Sequence, residues 1–186
     1  CIGSLVANPL LTLHDNGLHP DNIGACTFDG EGTPTRNLSI INGGRIENLL
    51  HSEATAKAFN TIPTGHAGIG AKVSVGTDWL EVSKTNGIKQ VAQELKYNET
   101  KQRYILVEGL NALHAGVKPS QGSFSLPFDG WLVENGEKVS IEAATIAGDI
   151  RDVLNNILNI EEKQKITTCG VSPHVWVEGL SITGEA

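Results

Sequence analysis

The chain has 186 residues, 39% hydrophobic and 19% charged, a globular composition that excludes a disordered or fibrous polypeptide and is long enough to bury a core of its own. Net charge is −7 and the 14 Lys and Arg are scattered singly, whereas a nucleic-acid binder needs a basic stripe to release phosphate counterions, so no nucleic-acid partner is expected. The longest apolar runs, such as Ile2 to Ala7, fall far short of the ~20 residues that span a bilayer, and no membrane partner is expected either.

In chain order, Leu10 to Leu13 reads as a short strand. Asn37 to Ile41 and Arg45 to Leu50 then flank Asn42-Gly43-Gly44, a hairpin signal because Asn and Gly tolerate the positive φ of a tight turn. Ser52 to Phe59 reads as a helix capped by Ser52. Lys72 to Val75 and Leu80 to Ser83 are strands, Ile88 to Leu95 a weaker helix, and Tyr104 to Val107 and Ser123 to Leu126 strands again. A second hairpin joins Trp131 to Glu134 with Lys138 to Ile141 through Asn135-Gly136. Asp149 is placed to cap a helix on which Ile150, Val153, Leu154, Ile157 and Leu158 form one apolar stripe. His174 to Val177 and Leu180 to Thr183 close the chain as strands.

With 21 glycines bounding these runs, the expected fold is α+β, a mainly antiparallel β-sheet with a few helices. Phe28-Asp29-Gly30 and Phe128-Asp129-Gly130 each precede a hairpin and then a helix, which allows two related halves. No linker divides the chain, and residues 1–186 are treated as one domain. The absence of Met and the opening Cys1-Ile2-Gly3 read as a piece of a longer polypeptide.

Self-contained catalytic chemistry is not visible. The six His are single, and His14 and His19 straddle the turn Asp15-Asn16-Gly17 without the i, i+4 spacing that aims two imidazoles at one metal. Cys1, Cys26 and Cys169 are odd in number and far apart, so no disulfide framework or cysteine zinc site is indicated; a reducing, cytoplasmic setting fits, with Cys26 and Cys169 read as buried. Asp29-Gly30-Glu31-Gly32 lacks the ligand series of an EF-hand, and Gly65-His66-Ala67-Gly68-Ile69-Gly70 lacks the third glycine and helix of a phosphate loop. The reading from chemistry is no catalytic residue, no metal ligand and no cofactor in this chain.

Ordered motifs nevertheless run along nearly the whole chain. Ser4-Leu5-Val6-Ala7-Asn8-Pro9, Asp15-Asn16-Gly17-Leu18-His19-Pro20, Phe28-Asp29-Gly30-Glu31-Gly32-Thr33-Pro34-Thr35-Arg36, Pro63-Thr64-Gly65-His66-Ala67, Thr145-Ile146-Ala147-Gly148-Asp149 and Val177-Glu178-Gly179-Leu180 resemble the C-terminal domain of the TldD/PmbA family, in its PmbA (TldE) branch. The resemblance implies a subunit of a cytoplasmic heterodimeric metallopeptidase in which TldD-type and TldE-type chains degrade or process unfolded peptides, peptide-antibiotic maturation included. Zinc is implied in the TldD-type partner, whose His-Glu-x-x-x-His motif has no counterpart here. Cys169-Gly170 matches only part of the C-terminal cysteine motif of TldD-type chains, so a ligand role is not carried over.

Three functions remain open at this point: a partner subunit supplying interface and peptide-lining surface, a metallopeptidase whose ligands lie outside this sequence, and a non-proteolytic binder such as a modulator of DNA gyrase. For the first, an extended peptide would pair through its main chain. Its expected contacts are Asp29, Glu31, Thr33, Arg36, Ser123 and Phe124.

Overall fold

The computed structural model describes residues 1–88 and 102–184. Strands dominate and antiparallel pairing prevails, with β12 running parallel to β6, so the α+β expectation holds. The predicted helix over Ile88 to Leu95 falls on residues 89–101 apart from its first residue, outside the described residues.

Two compact units form. The first comprises Cys1–Ile88 and Ile160–His174; the second takes the described residues up to Asn159 and from Val175. The first unit holds most of a six-stranded sheet in the order β11-β12-β6-β1-β2-β3, where β1 is Leu11–Asn16, β2 Asn37–Asn42, β3 Arg45–Ile46, β6 Leu80–Lys84, β11 Ile157–Ile166 and β12 Gly170–Val177. β1 is central and antiparallel to both β2 and β6, while β12 runs parallel to β6 through Gly170 and Val171. The β2–β3 turn is Gly43-Gly44, both at positive φ, and a Cβ on Gly44 would lie 2.2 Å from the Ala7 carbonyl oxygen. Only glycine fits there.

Beside this sheet, helix α1 (Glu53–Phe59) starts at Ser52, which caps it in a reciprocal arrangement with Thr55, and ends on Asn60 in the left-handed region. A two-stranded ribbon follows, β4 (Ala67–Gly68) with β5 (Ser74–Val75).

In the second unit β7 (Arg103–Leu110), β9 (Ser123–Glu134), β10 (Glu137–Asp149) and β13 (Ser181–Thr183) form one sheet in the order β13-β10-β9-β7, and β8 (Val117–Lys118), which follows the short helix α2 (Leu113–Gly116), pairs with β9. The β9–β10 turn has Asn135 and Gly136 at φ 50° and 87°, the predicted hairpin with much longer arms. Leu126 and Phe128 alternate with exposed Ser125 and Pro127 along β9, and they pack with Ala144 and Ile146 as the core of this unit.

Two expectations are corrected. The helix from Asp149 (α3, Ile150–Asn155) stops after six residues, and Ile157 and Leu158 open β11, buried to 2% and 3% exposure. Sheet pairing wins over the helical period because β-branched Ile157 and Ile160 suit a pleated surface and Asn156 leaves the helical region at φ −95°, ψ 26°. The two Phe-Asp-Gly triplets also occupy unlike structures, the first a loop and the second the middle of β9, so their echo marks no repeated half.

Candidate functional site

A fully buried carboxylate lies in the first unit, where Asp15 is the next-to-last residue of β1. Its side chain has no exposed surface, and burial would push its pKa up. A contact from His66 and the backbone N–H groups of Trp79 and Asp78 outweigh that and hold the carboxyl below the ordinary range. Trp79 N–H donates to Oδ1 at 2.7 Å and Asp78 N–H to Oδ2 at 2.9 Å, so Asp15 fixes the turn that leads into β6. His66 Nε2, also fully buried, lies 3.4 Å from Asp15 Oδ2, longer than a good hydrogen bond. Its Nδ1 is 3.0 Å from the hydroxyl of Thr64, which in turn bonds both backbone groups of His51.

Phe28 to Thr35 folds over this pair as a loop organised by Asp29. One oxygen of Asp29 accepts the N–H groups of Glu31 and Thr33 and the other accepts that of Ala67, each at 2.9 Å. Partial burial raises its pKa, but these three donors prevail and lower it. Glu31 accepts the Glu53 N–H at the start of α1, at 2.8 Å. Gly65 lets the next segment approach: at φ +81°, a Cβ there would lie 2.4 Å from the Pro34 carbonyl oxygen.

Between this loop, the ribbon and the Asp78 turn opens a cleft of about 330 Å³, lined in part by Gly17, Cys26, Phe28, Asp29, Ser74 and Asp78. Asp78 has its pKa raised, by burial first and then by the charge of Asp15.

Of the expected peptide contacts, Asp29, Glu31 and Thr33 are joined in this one loop, Thr33 buried, with Arg36 just beyond it. Ser123 and Phe124 belong to the second unit, where their backbone is paired on both sides by β8 and β10. Cys26 and Cys169 are exposed, not buried: Cys26 stands on the cleft wall and Cys169 in the turn before β12. His14 and His19 do not converge, since His14 contacts Asn37 while His19 lies between Asp21 and Glu81. The Asp15–His66 pair was missed because 51 residues separate its members and each carries, in its local motif, only turn or glycine-loop signals.

Zinc needs three or four converging N, S or O donors. Among the described residues no group of three or more His, Cys, Asp and Glu converges so, and Asp15 already spends its oxygens on two backbone N–H groups. These residues do not fit a zinc site of their own.

Residues 1–184 match the family model described as the PmbA/TldA metallopeptidase C-terminal domain, and the chain belongs to that family. It is 28% identical over 146 residues to the metalloprotease PmbA homologue of Haemophilus influenzae, covering 76% of this chain and 30% of that protein. The metalloprotease TldD homologue of the same organism is 23% identical over 170 residues, 89% of this chain and 34% of that one. A Thermotoga maritima protein described as a candidate modulator of a DNA gyrase superimposes with a TM-score of 0.82 at 30% identity, over 98% of this chain and 41% of that one. TldE from Thermococcus kodakarensis shares the fold, with a TM-score of 0.78 at 24% identity over 98% and 42%. The chain thus spans well under half the length of these relatives.

Proposed function

We propose that this chain is the C-terminal domain of a PmbA/TldE-like partner subunit in a TldD/TldE-like metallopeptidase complex acting on unfolded peptides. Its part is to supply interface and peptide-lining surface, while the metal, its ligands and the activating carboxylate come from a TldD-type chain. The observation that carries this reading is the open cleft walled by glycine-rich main chain in a domain of this family. Exposed backbone recognises an extended peptide whatever its side chains, which suits broad substrates.

Asp29, Glu31, Thr33 and Arg36 hold or adjoin the loop that shapes the cleft, so in this proposal the first three act by positioning it. Ser123 and Phe124, with their backbone engaged, would meet a peptide through side chains. The test incubates an unfolded peptide with the full-length protein, alone and with a TldD-type partner, with and without chelator. Chelator-sensitive cleavage is expected only with the partner. Cleavage by the rigorously purified protein alone would establish instead a metallopeptidase in its own right.

A further inference from the structure

Asn followed by Gly occurs four times in the chain, at Asn16-Gly17, Asn42-Gly43, Asn86-Gly87 and Asn135-Gly136. In such a pair the backbone nitrogen after the Asn is open to its side-chain carbonyl carbon, because glycine has no Cβ to shield that nitrogen. Closing a ring between the two requires the Asn Cβ to swing round and eclipse the next nitrogen, away from the ordinary helical and extended wells. Whatever holds the side-chain amide or the following backbone therefore blocks the reaction, and the fold treats the four pairs differently.

Asn16 closes β1. Its side-chain amide donates to Glu81 Oε1 at 2.8 Å and its own N–H to the Trp79 carbonyl, while Gly17 is buried with Thr35 and Asp78 filling the space that a Cβ would take. The Asn42 amide donates to Glu47 Oε1 at 2.8 Å, and the Gly43 N–H faces the Thr12 hydroxyl at 3.5 Å. Asn135 donates its N–H to the Gln102 carbonyl at 2.8 Å and sits in the turn closed by the Glu134–Glu137 pair, so its backbone swings only by opening the end of the β9–β10 ladder.

Asn86 has none of these restraints. It is exposed in the turn that leaves β6, and neither its side chain nor its backbone bonds another described residue. Gly87 lies at φ +78° with no atom beyond its chain neighbours within 4 Å of the position a Cβ would occupy. Just upstream, the Thr85 N–H donates to the Leu10 carbonyl at 2.8 Å and the Thr85 hydroxyl lies 2.8 Å from that of Thr12. The chain is held as far as Thr85 and released at Asn86.

We propose that Asn86-Gly87 is a site of spontaneous deamidation, the one of the four pairs that the native fold leaves reactive. The Gly87 nitrogen gives up its proton to solvent and attacks the Asn86 side-chain carbonyl carbon; the bond to the side-chain nitrogen breaks, ammonia leaves and a succinimide remains. Water then opens the ring at either carbonyl to give isoaspartate or aspartate. One water is consumed and one ammonia released, with nothing oxidised or reduced. The product places a new carboxylate at the exit of β6 in a chain whose net charge is already −7, and the isoaspartyl form lengthens the main chain of the turn by one carbon.

The test incubates the full-length protein in mildly alkaline buffer, samples it over days and maps its peptides by mass spectrometry, with isoaspartate told from aspartate by methyl transfer from S-adenosylmethionine with an isoaspartyl methyltransferase. Asn86 should convert about threefold to tenfold faster than Asn16, Asn42 or Asn135, the factor expected when each of those must first break a hydrogen bond. In denaturant the four should convert at similar rates, which ties the ranking to the fold. Asn86→Gln, whose longer side chain closes a less favourable ring, should remove the earliest product and leave the other three rates unchanged. Equal rates at all four positions of the folded protein, Asn135 ahead of Asn86, or Asn86 as strongly protected by folding as Asn16 overturns the inference.

Discussion

Asp15 shows how a single carboxylate ties the cleft to the sheet. Its folded pKa lies below the ordinary 3.8 despite burial, so its ionised form is favoured in the native state. The sign follows: a carboxylate depressed on folding contributes stability fully above about pH 3.8, and the contribution fades as pH falls through the lower folded value. Asp78 behaves oppositely, since its raised pKa marks an ionised form that the fold disfavours. Asp15→Asn leaves the Trp79 and Asp78 N–H groups half served and removes the carboxylate that lies 3.4 Å from His66 Nε2. It should cost about 1–3 kcal/mol at pH 7, the scale of leaving a buried donor unsatisfied. The deficit should shrink as pH falls below the ordinary carboxylate range, as read from denaturant unfolding at a series of pH values. A deficit independent of pH would mean that Asp15 acts through shape and not charge. Nothing adjacent to Asp15 or His66 in sequence announces this pair, because their meeting depends on β1 and the 63–67 segment converging through the sheet.

At the scale of elements, both hairpins were legible because Asn-Gly and Gly-Gly specify their own turn, and α1 was legible because Ser52 supplies its cap. The segment after Asp149 was not, for its apolar spacing satisfies a helix while the partner that decides the matter, β12, lies beyond it in sequence. The outcome changes which residues carry stability. Ile160 is 1% exposed in β11, whereas Ile150 on α3 is 47% exposed. Ile160→Ala should therefore cost about 2–5 kcal/mol by transfer and cavity terms, and Ile150→Ala under about 1 kcal/mol. Equal losses in thermal or denaturant unfolding would show that α3 buries the apolar stripe after all. The loop from Phe28 to Thr35 falls between these cases: its Asp-Gly chemistry signals a turn, but the Asp29 bond to Ala67 spans 38 residues and only the fold reveals it.

For the whole molecule, the order of the chain does not follow its compact units. The first unit recruits Ile160–His174 after the chain has built most of the second. What that returning segment supplies is specific: β12 runs parallel to β6, with Gly170 opposite Leu80 and Val171 opposite Glu81, and the Cys169 carbonyl accepts the Leu80 N–H. β6 also follows the turn that Asp15 clamps, so the cleft wall at Asp78 depends on a strand whose neighbour arrives some ninety residues later. Pairing at such separation carries a loop-closure cost that local contacts avoid, which makes it late to form and sensitive to deletion. A chain ending at residue 159 should accordingly lose hydrogen-exchange protection at the amides of Leu80–Lys84, although every residue lining the cleft is still present. The β9–β10 hairpin, whose register is set by its own turn, should keep its protected amides in the same truncated chain. Retained protection throughout β6 would show that the first unit closes without β12 and most of β11.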